Sequence, residues 1–158
     1  KEVPMSMLAA RTAQAALVAR IRDVLKTETD PETADRVLAE AIRADARAAG
    51  EAFAGLAPGG PNLRHFATVL DRWREGDALT IEGVTQTDDP LSFAVTCCAY
   101  AQAYADLGLD PELGSILSCS RDEPFAKGYS PRLSMERSRT IMEGAQRCLF
   151  TFTWQDES

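Results

Sequence analysis

Histidine is nearly absent: His65 is the only one in 158 residues. A nucleophile-base triad has that residue alone to supply its base, and a metal centre with several histidine ligands is excluded. Cysteine is sparse too. Cys97, Cys98, Cys119 and Cys148 are too few for a disulfide scaffold at this length, and no CxxC spacing suggests structural zinc. No apolar run approaches the roughly 20 residues that span a bilayer. The N-terminus also lacks the basic, apolar, small-residue order of a secretory signal, so a cytoplasmic protein is expected. Positive charge is in deficit: 17 Lys and Arg against 24 Asp and Glu give a formal net charge of -7. Nucleic-acid affinity rests on lysine and arginine displacing counterions, so that partner is set aside in favour of a small molecule. The composition leaves a homo-oligomer open.

Hydrophobic residues make up 45% of the chain, which suits one domain over residues 1–158. Residues 1–76 read as a helical part and 77–158 as a part carrying the sheet and the site. Over residues 4–26, Leu17, Val18, Ile21, Val24 and Leu25 recur at helical spacing, with arginines at 11, 20 and 22 between them. Asp30-Pro31-Glu32 reads as a cap, a first-turn proline and a dipole-matched acid. The helix it opens carries Val37, Leu38, Ala41 and Ile42 on one face and runs out near Gly50 or Gly55. After the Pro58-Gly59-Gly60-Pro61 loop, Leu63, Phe66, Leu70 and Trp73 line a third helix that Gly76 ends.

Beyond Gly76 the period falls to two. Leu79 and Ile81, then Leu91, Phe93 and Val95 across an Asp88-Asp89-Pro90 turn, predict a hairpin. Residues 97–107 favour helix. Asp110-Pro111 opens another helix, expected to carry Cys119 and Asp122 and to break at Pro124, with a loop over 128–131. Leu133, Met135 and Arg137 alternate on one strand and Cys148, Phe150, Phe152 and Trp154 on the next, joined through Glu143-Gly144. The order of helices, hairpin, two helices and hairpin predicts an α+β fold, with N-terminal helices covering one face of a roughly four-stranded antiparallel sheet.

Residues three apart on a helix share a face, so a thiol and a carboxylate meet at Cys119 and Asp122. Asp122 would then serve as a general base toward water or the thiol. The alternative is that the cysteine is a small buried hydrophobe and the aspartate is solvated. Cys97 and Cys98 lie at a strand-to-helix junction where backbone donors lower a thiol's pKa, although the inward one also suits the core. Arg121, Arg137 and Arg139 flank the Cys119 segment, and whichever turns inward would clamp a carboxylate through two hydrogen bonds. Cys148 falls in phase with the apolar face of its strand. His65, among Leu63, Phe66 and Val69, reads as a satisfied structural histidine.

Taken in order, Val95-x-x-Cys98-Ala99-Tyr100-Ala101, Leu107-Gly108, Glu112-Leu113-Gly114, Cys119-x-x-Asp122, Gly128-Tyr129-x-Pro131, Arg139-Thr140, Glu143-Gly144 and Cys148-x-Phe150 resemble the L-2-amino-thiazoline-4-carboxylic acid hydrolase family. The resemblance spans about residues 92–152, with departures at Cys97 and Leu149. It implies a hydrolase that opens a small cyclic amidine or thiazoline ring bearing a carboxylate, by adding water at the C=N carbon. It requires no cofactor and no metal. Carried over position by position, it places Cys98, Cys119, Asp122, Arg139 and Cys148 among the family's patterned residues. From the chemistry of the side chains, Cys98, Cys119 and Asp122 are then expected as catalytic residues, and Arg139, Arg121, Cys148 and Tyr100 as substrate-binding residues. Two other readings stay open: a non-catalytic binding module of the same fold with structural cysteines, and a thiolate metal site built from Cys98, Cys119 and Cys148.

Overall fold

The computed structural model describes residues 4–155. It is an α+β fold, as the alternation of periods predicts. Two long helices, α1 (Met7–Glu28) and α2 (Pro31–Ala54), open the chain, each with a side-chain cap. Ser6 accepts from the Ala9 amide and Asp30 from the Thr33 amide. Asp30-Pro31 therefore acts as expected, satisfying one orphan donor while the proline occupies a position that needs none. The predicted third helix is two short ones, α3 (Leu63–Ala67) and α4 (Val69–Arg74), which meet at Thr68.

The inward face of α1 differs from the expected one. Leu17, Ile21 and Val24 are exposed, whereas Ala15 and Arg22 are buried and Leu8, Arg11, Val18 and Leu25 are partly so. Two stripes of period 3.6 overlap on this helix. The one that packs includes Arg22, which grips Asp35 of α2 through two hydrogen bonds of 2.6 and 2.8 Å and reaches Asp110 at 2.7 Å. A buried guanidinium is stable only when its donors are matched this way, so the network fixes which face turns in. On α2, similarly, Leu38 is buried while Val37 and Ala41 are exposed.

The strands β1 (Leu79–Gln86), β2 (Leu91–Cys98), β3 (Leu133–Arg137) and β4 (Cys148–Trp154) form one antiparallel sheet in the order β1-β2-β4-β3. A bulge interrupts the β1/β2 register between Glu82 and Thr85, where Gly83 takes φ +62. Phe93, Phe150 and Phe152 stack on the covered face against Phe66, and Trp73 of α4 packs over them. His65 stacks on Phe53 at 4.7 Å and its Nδ1 lies 2.9 Å from the Tyr129 hydroxyl, which is the structural role expected of it.

Between the hairpins run α5 (Ala99–Asp106), α6 (Pro111–Leu117) and α7 (Asp122–Tyr129). Cys97 and Cys98 end β2 rather than begin a helix. The expected single helix through Cys119 and Asp122 breaks earlier than Pro124, at Ser118 (φ -117, ψ -67). A 3-10 turn at Cys119–Arg121 follows, and α7 starts at Asp122. Pro124 is tolerated because the first-turn amides of α7 lack helical partners anyway. Gly128, expected in a loop, is helical, and it packs against the α2 backbone at Arg47.

Candidate active site

The 3-10 turn at Cys119–Arg121 does what a regular helix was expected to do. In a turn of three residues, positions i and i+3 eclipse, so Cys119 and Asp122 stand one above the other. A cavity of about 200 Å³ lies between the helical layer and the sheet, and both residues line it. Cys98 at the end of β2, Tyr100 at the start of α5 and Cys148 at the start of β4 line it too. Five of the seven residues singled out from sequence thus converge from four separate segments. The sixth, Arg121, also lines the wall, but its guanidinium is engaged with Asp45 at 2.7 Å and the Leu117 carbonyl at 3.0 Å.

Arg139 is the exception. It does not line the cavity; it is exposed and donates to the Glu143 carbonyl at 2.9 Å. Strand β3 ends at Arg137, so the alternation that would have turned residue 139 inward stops one step short. Arg137 is the arginine that turns in. It donates to the Asp122 carboxylate and, at 2.7 Å, to the Cys119 carbonyl. Its phase with Leu133 and Met135 carried that signal in the sequence.

Arg11 is the residue that sequence reasoning passed over as a position on an amphipathic helix. Its place on the inward stripe of α1, between Leu8 and Ala15, brings it to the cavity beside Tyr100. Burial and the neighbouring Arg121 push its pKa down. Its guanidinium donates to the Tyr100 hydroxyl but, among the described residues, has no carboxylate within 4.0 Å, which leaves its charge open to an anion.

Electrostatics divide the titratable groups. Asp122 keeps 23% of its side-chain surface open yet is ringed by protein, and that burial pushes its pKa up to about 6 against the pull of Arg137. Burial first, and the Asp122 charge second, drive the Cys119 thiol up to about 12, with the Thr140 hydroxyl beside its sulfur. Cys98 and Cys148 are raised by burial as well, although the Tyr100 and Ala101 amides oppose the shift at Cys98 and the Ile141 amide, donating to the Cys148 sulfur at 3.2 Å, opposes it there. The helix-start effect expected at Cys98 is present and loses to desolvation.

At neutral pH the small void is lined by one carboxylate, a phenol, three neutral thiols and three guanidiniums, of which Arg121 is held by Asp45, Arg72 lies over Phe53 and Arg11 has no carboxylate partner among the described residues. Among the described residues no group of three Cys, His, Asp or Glu side chains is placed to hold a metal ion, so the three thiols do not form the cage that a thiolate site requires. Among the described residues no helix is long and apolar enough to cross a membrane.

No curated protein matches the chain. The sequence model of one family does, over residues 10–152, taking in the N-terminal helices as well as the stretch that carries the motifs. That match includes Arg11 along with the three thiols and Asp122. The chain belongs to the L-2-amino-thiazoline-4-carboxylic acid hydrolase family.

Proposed function

We propose that the chain hydrolyses a small cyclic amidine or thiazoline carboxylate, with Asp122 as general base toward water. The observation that carries this reading is a carboxylate of pKa about 6 facing a cavity of about 200 Å³ beside a guanidinium with no partner carboxylate. A carboxylate tuned close to neutral is ionised at pH 7 and still basic enough to take a proton from attacking water. Arg11 holds the ring carboxylate through its planar fork, the role that sequence alone had given to Arg139.

The steps balance as follows. Water adds to the C=N carbon of the ring as Asp122 takes one of its protons and passes it to the ring nitrogen, and the double bond becomes single. The tetrahedral carbon then regains a double bond to oxygen as the ring sulfur leaves, the hydroxyl proton passing through Asp122 to that sulfur. In a thiazoline the bond broken is thus carbon-sulfur, and the product carries a ureido group and a free thiol. Cys119 serves as a neutral hydrogen-bond donor. Ionising it by transfer to Asp122 would run uphill by several pKa units at about 1.4 kcal/mol each, so a thiolate nucleophile is disfavoured. The test is incubation with L-2-amino-thiazoline-4-carboxylate and titration of released thiol, one per ring opened. A purified, folded chain that releases none from this or related amino-thiazoline carboxylates overturns the reading.

The neutral thiols also favour a second reading, a binding module of the same fold whose cysteines are packing residues. Thiol labelling at pH 7 with and without the ring carboxylate, read together with turnover, separates the two. On either reading the exposed Cys97 reacts first and Cys98, Cys119 and Cys148 react slowly. If added ring carboxylate protects the cavity thiols further and turns over, the module reading fails; protection without turnover supports it.

A further inference from the structure

On the other side of the wall formed by Cys119 and Thr140 lies an open groove of about 540 Å³. Its rim gathers cations from three elements: Arg43 and Arg47 of α2, Lys127 of α7 and Arg137 of β3. Two carboxylates face it. Glu143 is held by the Thr140 amide and hydroxyl at 2.8 and 2.9 Å, and Glu123 is the other.

Among the described residues Arg43 and Arg47 have no carboxylate within 4.0 Å. Local partners exist. Glu40 precedes Arg43 by three positions and Glu51 follows Arg47 by four, spacings at which helix-surface pairs form. Both arginines line the groove without using them, and they repel each other at a spacing of four. Lys127 has only the Pro131 carbonyl, at 3.4 Å. In a chain of net charge -7, three cations without carboxylate partners converging on one concavity make a local positive field that attracts an anion from outside.

We infer that this groove is an anion subsite that takes a phosphate or carboxylate group. Two guanidiniums four residues apart lie on one face of α2, each able to grip such oxygens through two hydrogen bonds, and Lys127 adds a point charge from the facing helix. Because Cys119 and Thr140 line both spaces, the anion is either a free ion or the far end of the molecule whose ring fills the inner cavity. The second source rests on the ring-opening reading above.

The test is calorimetric titration with inorganic pyrophosphate at low ionic strength, on the wild-type chain and on R43Q/R47Q. Both positions are exposed and glutamine keeps helix propensity, so circular dichroism is expected to be unchanged. Wild type binds and the double variant binds about tenfold more weakly or worse. Absence of binding to wild type, or equal affinity in the variant, overturns the subsite. Repeating the titration with saturating L-2-amino-thiazoline-4-carboxylate separates the sources: unchanged affinity identifies a free ion, and mutual exclusion identifies one extended ligand. The readout is binding, so a chain that binds pyrophosphate but opens no ring would sink the proposed reaction and leave the subsite standing.

Discussion

Asp122→Asn is expected to slow ring opening by roughly 10²- to 10⁴-fold, the usual effect of removing a general base, and at the same time to stabilise the fold above pH 6. Both effects come from one cause. Burial raises the Asp122 pKa from 3.8 to about 6, so the folded state holds the neutral acid more tightly than the unfolded chain does. The stability contributed by that raised pKa is fully present below about 3.8 and is lost as pH rises through about 6. At pH 7 the ionised carboxylate therefore costs on the order of 2 to 3 kcal/mol relative to its neutral form, at about 1.4 kcal/mol per unit. Asparagine has the shape of the neutral acid and keeps an acceptor oxygen for Arg137, so it escapes this cost. Wild-type kcat/KM should rise as pH crosses about 6, following ionisation of the base. Rate profiles and urea unfolding at pH 4.5 and pH 8 measure both halves. An undiminished rate removes Asp122 from the mechanism, and equal stability of the two proteins at pH 8 removes the strain argument.

Gly50→Ala should be the most damaging single methyl group in the chain. A Cβ at Gly50 would sit 2.1 Å from the Phe125 carbonyl oxygen and 2.8 Å from the Tyr129 amide nitrogen, while one at Gly128 would sit 2.1 Å from the Arg47 carbonyl oxygen. The two helices cross backbone to backbone, and no flexible side chain is there to give way. Overpacking of this kind costs typically about 1–3 kcal/mol and more where the backbone itself must move; we expect the upper end or beyond. Function should suffer with it, because α7 begins at Asp122 and any displacement from α2 carries the carboxylate away from Arg137. Gly55→Ala is the control. Gly55 caps the same helix with φ -63, and its added methyl would meet only carbonyl oxygens at 3.4 Å or more. Its effect is expected within about 1 kcal/mol, in the stabilising direction. Thermal unfolding and ring-opening rates of the variants check this; a Gly50→Ala chain as stable as Gly55→Ala refutes the close crossing.

Local chemistry made much of this architecture readable. The Asp30-Pro31 and Asp110-Pro111 pairs open α2 and α6 where a cap followed by proline requires, and the period-two runs became the four strands of one antiparallel sheet. The Cys119 and Asp122 spacing put a thiol beside a carboxylate, and it did so through a 3-10 turn as well as it would have through a helix. These are short-range facts, decided by backbone donors, dihedral preferences and side-chain alternation within a few residues.

Tertiary structure alone decided the rest. Helix α1 carries two overlapping apolar stripes, and only its packing, with Arg22 anchored to Asp35 and Asp110, selected the one that turns Arg11 into the cavity. Where β3 stops decided that Arg137 rather than Arg139 faces Asp122. The pKa of Asp122 and the neutrality of the thiols depend on how much protein surrounds them, which is the sum of contacts between segments as far apart as Arg11 and Cys148. The sequence by itself determined which groups are present and which near neighbours share a face. Folding determined which of them meet and how far each is removed from water, because desolvation and long-range contact have no local periodic signature.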